Sequence, residues 1–236
     1  MQKLKKKSNP QNRHGAQFRI LEYEISYEPF NPPGIKKMPR QIHDQYKVVY
    51  NLAQSKPQEA IPMLKQLIKK NPKEPRFNNL LASLYTMTND LKNAEEIACE
   101  NYKMNPKYLF AKINYAQLCL GKNDLTIIPQ IFNNKFDLTA LYPNRNKFHV
   151  SEYIGFAGVV GEYFARIGNK DVAMLYLNSL QKIAPKHMMT KNLKRLLKPS
   201  LKQKFIKKID EKIQQLEESQ PKLHWKIEQL KQRIWR

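Results

Sequence analysis

Residues 71–107, NPKEPRFNNLLASLYTMTNDLKNAEEIACENYKMNPK, begin and end with the same three residues, Asn-Pro-Lys. The two copies are separated by about 34 residues, the length of a repeat made of one helix, a turn and a second helix. Other residues recur at the same offset, so the sequence predicts stacked pairs of antiparallel helices. The recurring residues are Ala60 with Ala94, Ala82 with Ala116, and Asn89-Asp90-Leu91 with Asn123-Asp124-Leu125.

Each type of recurring residue has a physical role in a pair of helices. A small Ala lets the second helix approach the first closely, and Asn-Asp or Gly-Asn forms the tight turn between them. Pro ends the second helix because it lacks an amide hydrogen and forces the preceding residue away from helical torsions. One unit is therefore a helix, a turn, a second helix and a stop.

This pattern resembles the tetratricopeptide repeat family over about 145 residues, and it is specific for the fold but not for a partner. The resemblance implies an all-α protein, a short right-handed solenoid of helical hairpins with C-terminal capping helices and an extended N-terminal arm. The best match in the second unit is Leu81, Ala82, Tyr85, Ala94 and Pro106; in the fourth it is Gly161, Phe164, Ala173 and Pro185, with Gly168-Asn169 as the turn.

The predicted domain organisation has three parts. Residues 1–40 form a basic, partly disordered arm, residues 41–186 form the repeat domain, and residues 187–236 form basic amphipathic helices. The expected repeats are 41–74, 75–108, 109–152 and 153–186. The third contains an insertion of about 11 residues, for which we expect a loop or short helical turn at 133–147, and Ile128 stands where the small Ala belongs.

The N-terminal arm contains a stretch with the period of a strand. Apolar and polar residues alternate from Leu21 to Glu28, so the sequence predicts a strand within 20–28. No partner strand is obvious, which leaves three possibilities: packing on its own domain, pairing with a second copy, or addition to another sheet edge. We expect residues 1–17 to be disordered and the prolines of 29–39 to make an extended connector.

Two amphipathic helices are predicted near the C-terminus. Apolar residues at helical spacing from Leu201 to Leu216 indicate a helix over 201–218, which we expect to cap the last repeat. A second helix over 222–235 contains Trp225 and Trp235 among basic residues. It is compatible with packing on the domain, or with contact to a membrane surface, nucleic acid or a partner helix.

The net charge of +22 is concentrated in the flanks. Such a charge increases solubility, and it also attracts phosphate backbones, anionic lipid or acidic proteins. Nucleic acid, in particular RNA, is therefore an alternative partner. The residues predicted to contact it are Lys5, Lys6, Lys7, Lys204, Lys207 and Lys208.

The sequence gives little sign of enzymatic chemistry. Its 5 histidines are scattered, and no glycine-rich phosphate loop, nucleophile elbow or zinc-binding helix motif occurs. Cys99 and Cys119 fall at apolar positions of expected helices, which favours buried thiols and a reducing, cytoplasmic location. No export signal and no apolar run of about 18 residues is present. We therefore expect a non-enzymatic protein without a cofactor or metal.

The family resemblance implies that the first helix of each repeat lines a concave groove that holds a peptide or helix of a protein partner. One subset of the family grips the C-terminal carboxylate of heat-shock chaperones with a set of Lys, Asn and Arg residues. Only Asn79 fits that set here, so we predict no such clamp. The residues that the resemblance places near the groove are Gln45, Val49, Arg76, Asn79, Ser83, Met87, Ile113, Gln117 and Arg166.

Overall fold

The computed structural model describes residues 23–28, 38–199, 201–219 and 229. The described residues are all-α apart from two short strands, and those up to Leu196 form a helical solenoid, which confirms the predicted fold class. In chain order the elements are β1 (Glu24–Ser26), α1 (Arg40–Ser55), α2 (Pro57–Lys70), α3 (Pro75–Met87), α4 (Leu91–Met104), α5 (Leu109–Gly121), α6 (Ile127–Ile131), α7 (Leu138–Leu141), β2 (Lys147–His149), α8 (Val150–Arg166), α9 (Lys170–Ile183), α10 (Met188–Leu196) and α11 (Leu201–Ser219).

Successive helices pack as hairpins, and the hairpins stack on one another. Helices α1 and α2, α3 and α4, and α8 and α9 form the most extensive pairs, and α2 contacts α3 as α4 contacts α5. The recurring alanines Ala60, Ala94, Ala116 and Ala173 are all 0% exposed. Each therefore lies where two helix backbones approach closely, as the repeat pattern requires.

The turns after α3 and α8 follow one backbone plan. Asn89 has φ +61° and Gly168 has φ +84°, the left-handed conformation that ends many helices. After α3 the Asn89 N–H donates to Thr86 O at 3.2 Å and the Asp90 N–H donates to Tyr85 O at 2.8 Å. Asn and Gly tolerate this conformation best, so these residue types at these positions determine where α3 and α8 stop.

The third hairpin is irregular, as its sequence indicates. Helix α6 has only five residues and contains Pro129, and Ile128 is 0% exposed in the place of the small Ala. The insertion that follows contains α7 and β2. It is fixed to the start of α8 by Arg145, whose Nη2 donates to Glu152 Oε2 at 2.8 Å and whose Nη1 donates to Glu152 Oε1 at 3.1 Å.

The partner of the N-terminal strand is this insertion. Strand β1 pairs in parallel with β2, with Ile25 opposite Phe148. The Tyr23 ring lies edge-on to Phe148 at 5.4 Å between centroids and also contacts Tyr153 at 6.1 Å. The described part of the strand thus packs on its own domain; residues 20–22 of the predicted strand lie outside the described residues.

The last hairpin is covered by a helix that we did not predict. Helix α10 packs on α8 and α9 and buries Thr190 and Leu193 there, each 1% exposed. Contacts divide the chain after Leu196, so that α11 belongs to a second unit. Helix α11 covers the residues 201–218 for which the spacing of apolar residues predicted a helix. Its role as a cap on the last repeat stays a prediction, as do the predicted domain boundaries after residues 40 and 186. The helix predicted at 222–235 lies outside the described residues apart from helical Gln229.

Candidate peptide-binding groove

A cavity of about 260 Å³ opens between the first helices of the first two hairpins. We call it the α1–α3 groove. Since α1 and α3 each begin a hairpin, this is the face on which the family resemblance places the ligand. The lining residues are Tyr46, Tyr50, Ala53, Gln54, Asn79, Leu80, Ser83, Leu84 and Met87.

The α1 wall of the groove is largely aromatic. Tyr46, Tyr50 and Gln54 recur every fourth residue, so they share one face of the helix. Tyr46 packs against Phe77 of the neighbouring hairpin at 5.2 Å and against Tyr50 at 6.0 Å. Burial raises the pKa of Tyr46 to about 12, so its hydroxyl is protonated at neutral pH. Tyr50 is 47% exposed and forms the rim.

The α3 wall combines apolar side chains with one unsatisfied acceptor. Leu84 is buried at the floor, whereas Met87 is 59% exposed at the rim. Asn79 Oδ1 is buried, and no donor among the described residues forms a hydrogen bond with it. A buried acceptor without a donor costs about 1–3 kcal/mol. The groove therefore presents apolar surface, and an unsatisfied acceptor is buried in its wall.

The walls of the groove carry no charged side chain, although Arg76 lies nearby on the same helix. Arg76 is engaged by Glu74: its Nε lies 2.5 Å from Glu74 Oε1 and its Nη2 donates to Oε2 at 2.8 Å. Both side chains are 15% exposed. A half-buried, bidentate pair of this kind neutralises the guanidinium, so the groove suits an uncharged ligand segment better than a carboxylate.

The structure brings together only three of the residues that we predicted for the groove: Asn79, Ser83 and Met87. Val49 and Ile113 are 2% and 3% exposed, so their side chains belong to the core and not to a ligand surface. Gln45 is exposed but does not line the cavity. The binding role of the whole set stays a prediction.

Two further predicted groove residues lie on later helices and contact their own neighbours. Gln117 Nε2 lies 3.7 Å from the Sδ of Met189 on α10. Arg166 donates from Nε to Glu162 Oε1 at 2.9 Å, one turn back on α8, and its Nη1 reaches Asn123 Oδ1 at 3.5 Å. Neither residue lines the α1–α3 groove.

The cavity is lined by residues one position away from Gln45 and Val49, and the turn explains the difference. A single residue, Lys56, joins α1 to α2, whereas three residues separate α3 from α4. Copying positions from α3 onto α1 at a fixed offset therefore selects a face of α1 other than the one that lines the cavity. The spacing of Tyr46, Tyr50 and Gln54 was the signal in the sequence that could have identified the lining face.

The described residues contain no group of three or more His, Cys, Asp or Glu side chains that could hold a metal ion. Cys119 is buried and its pKa is raised by burial, which disfavours a reactive thiolate; Cys99 is half-buried. Within the described ranges no helix combines the length and the apolar character needed to cross a membrane.

Comparison with known proteins identifies the repeat. Residues 51–98 match the tetratricopeptide repeat family. No curated protein matches the chain. Among solved structures, MamA (residues 41 to the end) from Desulfovibrio magneticus RS-1 has 13% identity and a TM-score of 0.48, with 78% of this chain and 99% of that one covered.

Two other solved structures show a similar likeness. PilF from Pseudomonas aeruginosa has 13% identity and a TM-score of 0.47, with 65% of this chain and 66% of that one covered. A thermophilic TPR protein from Thermus thermophilus has 14% identity and a TM-score of 0.41, with 66% and 98% covered. The matched segment spans α2, α3 and most of α4, and over these residues the chain is similar to the tetratricopeptide repeat family.

Proposed function

We propose that this chain is a non-enzymatic scaffold that binds a segment of a protein partner in the α1–α3 groove. The segment inserts one large apolar side chain between Tyr50 and Met87 and donates a backbone N–H to Asn79 Oδ1. The fold supports the coarser part of this proposal, since tetratricopeptide repeat proteins generally act as protein-interaction scaffolds.

The observation that carries the proposal is the unsatisfied oxygen of Asn79. In a folded protein almost every buried polar atom has a hydrogen-bond partner, so each exception calls for a physical explanation. Asn79 lies on an otherwise well-bonded turn of α3: its backbone carbonyl accepts from Ser83 Oγ at 3.1 Å and from Asn114 Nδ2 at 3.2 Å. Only the side-chain acceptor at the cavity wall is left without a donor.

The walls define what kind of segment fits. Tyr50 and Met87 provide exposed apolar surface of adaptable shape, and neither requires a charge on the ligand. A cavity of about 260 Å³ is smaller than the range of about 300–1,000 Å³ typical of small-molecule sites, so it takes one side chain and not a cofactor. We therefore expect a peptide motif built around a single apolar anchor.

The test is a selection of random linear peptides on the full-length chain, followed by fluorescence anisotropy of the enriched peptides. We expect a common large apolar residue and no requirement for an acidic group or a free C-terminus. Asn79→Ala should weaken binding at least about tenfold, because a bound peptide N–H would lose its acceptor. Tyr50→Ala should weaken it as well, through lost apolar contact.

The matched control is Asn178→Ala, which removes an exposed asparagine from α9. Affinity should not change in that variant. Asn79→Ala should also leave the unfolding free energy unchanged or raise it, since it removes an unsatisfied buried acceptor. The proposal is wrong if no peptide is enriched, or if enriched peptides bind wild type, Asn79→Ala and Tyr50→Ala equally well.

Nucleic-acid binding through the basic flanks is the second candidate. Lys5, Lys6 and Lys7 lie outside the described residues, as do the side chains of Lys204 and Lys207; Lys208 is exposed. A more specific observation, on α9 and α10, favours nucleic acid as a ligand and leads to a different set of residues.

A further inference from the structure

One surface of the repeat unit is cationic without compensation. The sequence contains no acidic residue between Asp171 and Asp210. Five basic residues from the end of α9 to the end of α10 are exposed, and the described structure pairs none of them with a carboxylate. They are Lys182, Lys186, Lys191, Lys194 and Arg195.

Some exposed lysines of the solenoid have such partners. Lys122 Nζ lies 2.5 Å from Glu95 Oε2, Lys56 Nζ lies 2.9 Å from Glu59 Oε1, and Lys147 contacts two glutamates of the N-terminal strand region. The cations of α9 and α10 instead lie in a stretch of chain that contains no acidic residue, so their positive field is not compensated along the chain and extends into solvent.

We propose that these five residues form a binding site for the sugar–phosphate backbone of double-stranded nucleic acid. Lys194 and Arg195 lie three and four residues after Lys191, so both are its neighbours on α10. The rise from Lys191 to Arg195 is about 6 Å. Cations clustered over so short a length neutralise neighbouring phosphates of a duplex and release their counterions.

The docking of α10 keeps these cations in place. Thr190 and Leu193 are buried against α8 and α9, and the Thr190 Oγ1 donates to Ala184 O at 2.7 Å. At the start of the helix the Met189 N–H donates to His187 Nδ1 at 3.2 Å. The cationic face is therefore presented on a rigid helix, which a backbone-binding surface requires for register on the duplex.

The same surface is poorly suited to single-stranded nucleic acid, whose binding relies on bases stacking against aromatic side chains. No Phe, Tyr or Trp occurs between Tyr176 and Phe205. Clustered cations also attract anionic lipid, and α10 exposes Met188 and Leu196, so lipid vesicles are the competing ligand in the test below.

The composition of the site indicates backbone contact and not base recognition. Four of the five cations are lysines, which act on phosphates as point charges, whereas base reading typically uses the bidentate geometry of Arg, Asn or Gln. We therefore expect affinity that depends on salt and not on sequence.

The test uses the full-length chain and a fluorescent 20-base-pair duplex of arbitrary sequence, titrated at several salt concentrations. The triple variant Lys191→Gln/Lys194→Gln/Arg195→Gln should bind at least about tenfold more weakly at 0.1 M salt. Its plot of log K against log salt should be shallower by about 2.7, which is about 0.9 for each phosphate contact removed.

The matched control is Lys69→Gln/Lys70→Gln/Lys73→Gln, which removes the same charge from exposed positions at the end of α2. It should retain wild-type affinity and salt dependence. If the α10 triple variant does not fold, judged by circular dichroism, the single variant Lys191→Gln provides the same comparison with a slope change of about 0.9.

Four outcomes overturn the proposal. The first three are no binding to the duplex, an equal loss in the control and the α10 variant, and binding to anionic phosphatidylserine vesicles that exceeds binding to the duplex. Unchanged affinity of the α10 variant alongside firm binding by the wild type also overturns it, because the contacts would then lie elsewhere. Peptide binding in the α1–α3 groove should be unaffected by the α10 substitutions, so the two proposals fail independently.

Discussion

Gly161 of α8 faces Leu193 of α10 so closely that a Cβ atom on Gly161 would lie 2.6 Å from Leu193 Cδ2. The same Cβ would lie 3.0 Å from Tyr176 Cβ on α9. The absence of a side chain at position 161 is thus what allows α10 to cover the last hairpin. Gly158, one turn earlier, makes the same kind of room for Met189.

We expect Gly161→Ala to destabilise the protein by about 1–3 kcal/mol, because the added methyl group forces α10 outward or strains its side chains. Thermal unfolding followed by circular dichroism would measure the change. Gly121→Ala is the control: its Cβ would meet nothing within 4 Å, so stability should stay the same or rise by about 0.4–1 kcal/mol. Equal effects of the two substitutions would contradict the close α8–α10 contact.

Tyr23→Ala should release strand β1 from β2. The substitution removes the edge-on contact with Phe148 and the contact with Tyr153, and aromatic pairs contribute about 0.5–1.5 kcal/mol beyond their buried area. Hydrogen–deuterium exchange of the β2 amides should accelerate. Tyr27→Ala, at a position that is 68% exposed, should leave that exchange unchanged. Protection of β2 that survives Tyr23→Ala would show that the pairing does not depend on this ring.

Asn89→Ala should lower stability by about 1–2 kcal/mol, because alanine disfavours the φ of +61° that ends α3. Asn89→Gly should be nearly neutral, since glycine adopts that conformation freely. For a domain of this size, 1 kcal/mol corresponds to about 2–4 °C in the melting temperature. A melting temperature that falls equally for both variants would point to a lost side-chain contact and not to backbone conformation.

The groove tyrosine Tyr46 should make stability fall at high pH. Burial raises its pKa from 10.0 to about 12, so between these values the unfolded chain loses the proton while the folded chain keeps it. Its contribution is complete below pH 10 and is lost as the pH rises through 12. Urea unfolding at pH 9 and pH 11 should therefore show a smaller decline for Tyr46→Phe, by about 1 kcal/mol. If the unfolding free energy fell by the same amount in wild type and Tyr46→Phe, the ionisation of the Tyr46 hydroxyl would not contribute to the pH dependence of stability.

The repeat itself could be predicted because it depends on local chemistry that recurs. A small residue is needed wherever two helices of a hairpin touch, so Ala60 and Ala94 mark the same place in successive units. The turn after α3 needs a residue that tolerates positive φ, and Asn89 marks it. These requirements are met within about 34 residues of chain, a distance over which sequence patterns are informative.

Other features depend on contacts that no local pattern encodes. Glu24 pairs in register with Lys147, far along the chain, and parallel pairing leaves no turn between the strands to indicate it. The groove face of α1 depends on the one-residue turn at Lys56. The burial of Lys112 could not be predicted from the sequence either. Its side chain is 4% exposed and its ammonium group donates to Ile131 O, so a charged residue occupies a core position.

The pairing of β1 with β2 also changes how the array responds to stress. In an open stack of hairpins each unit contacts only its neighbours, so unfolding can start at either end and spread. Here β1, which precedes the first hairpin in the chain, pairs with β2 at the entrance to the fourth, so that hairpin has a stabilising contact that the order of the repeats does not supply. Detachment of β1 would then weaken the fourth hairpin directly, without the unfolding of any neighbouring repeat.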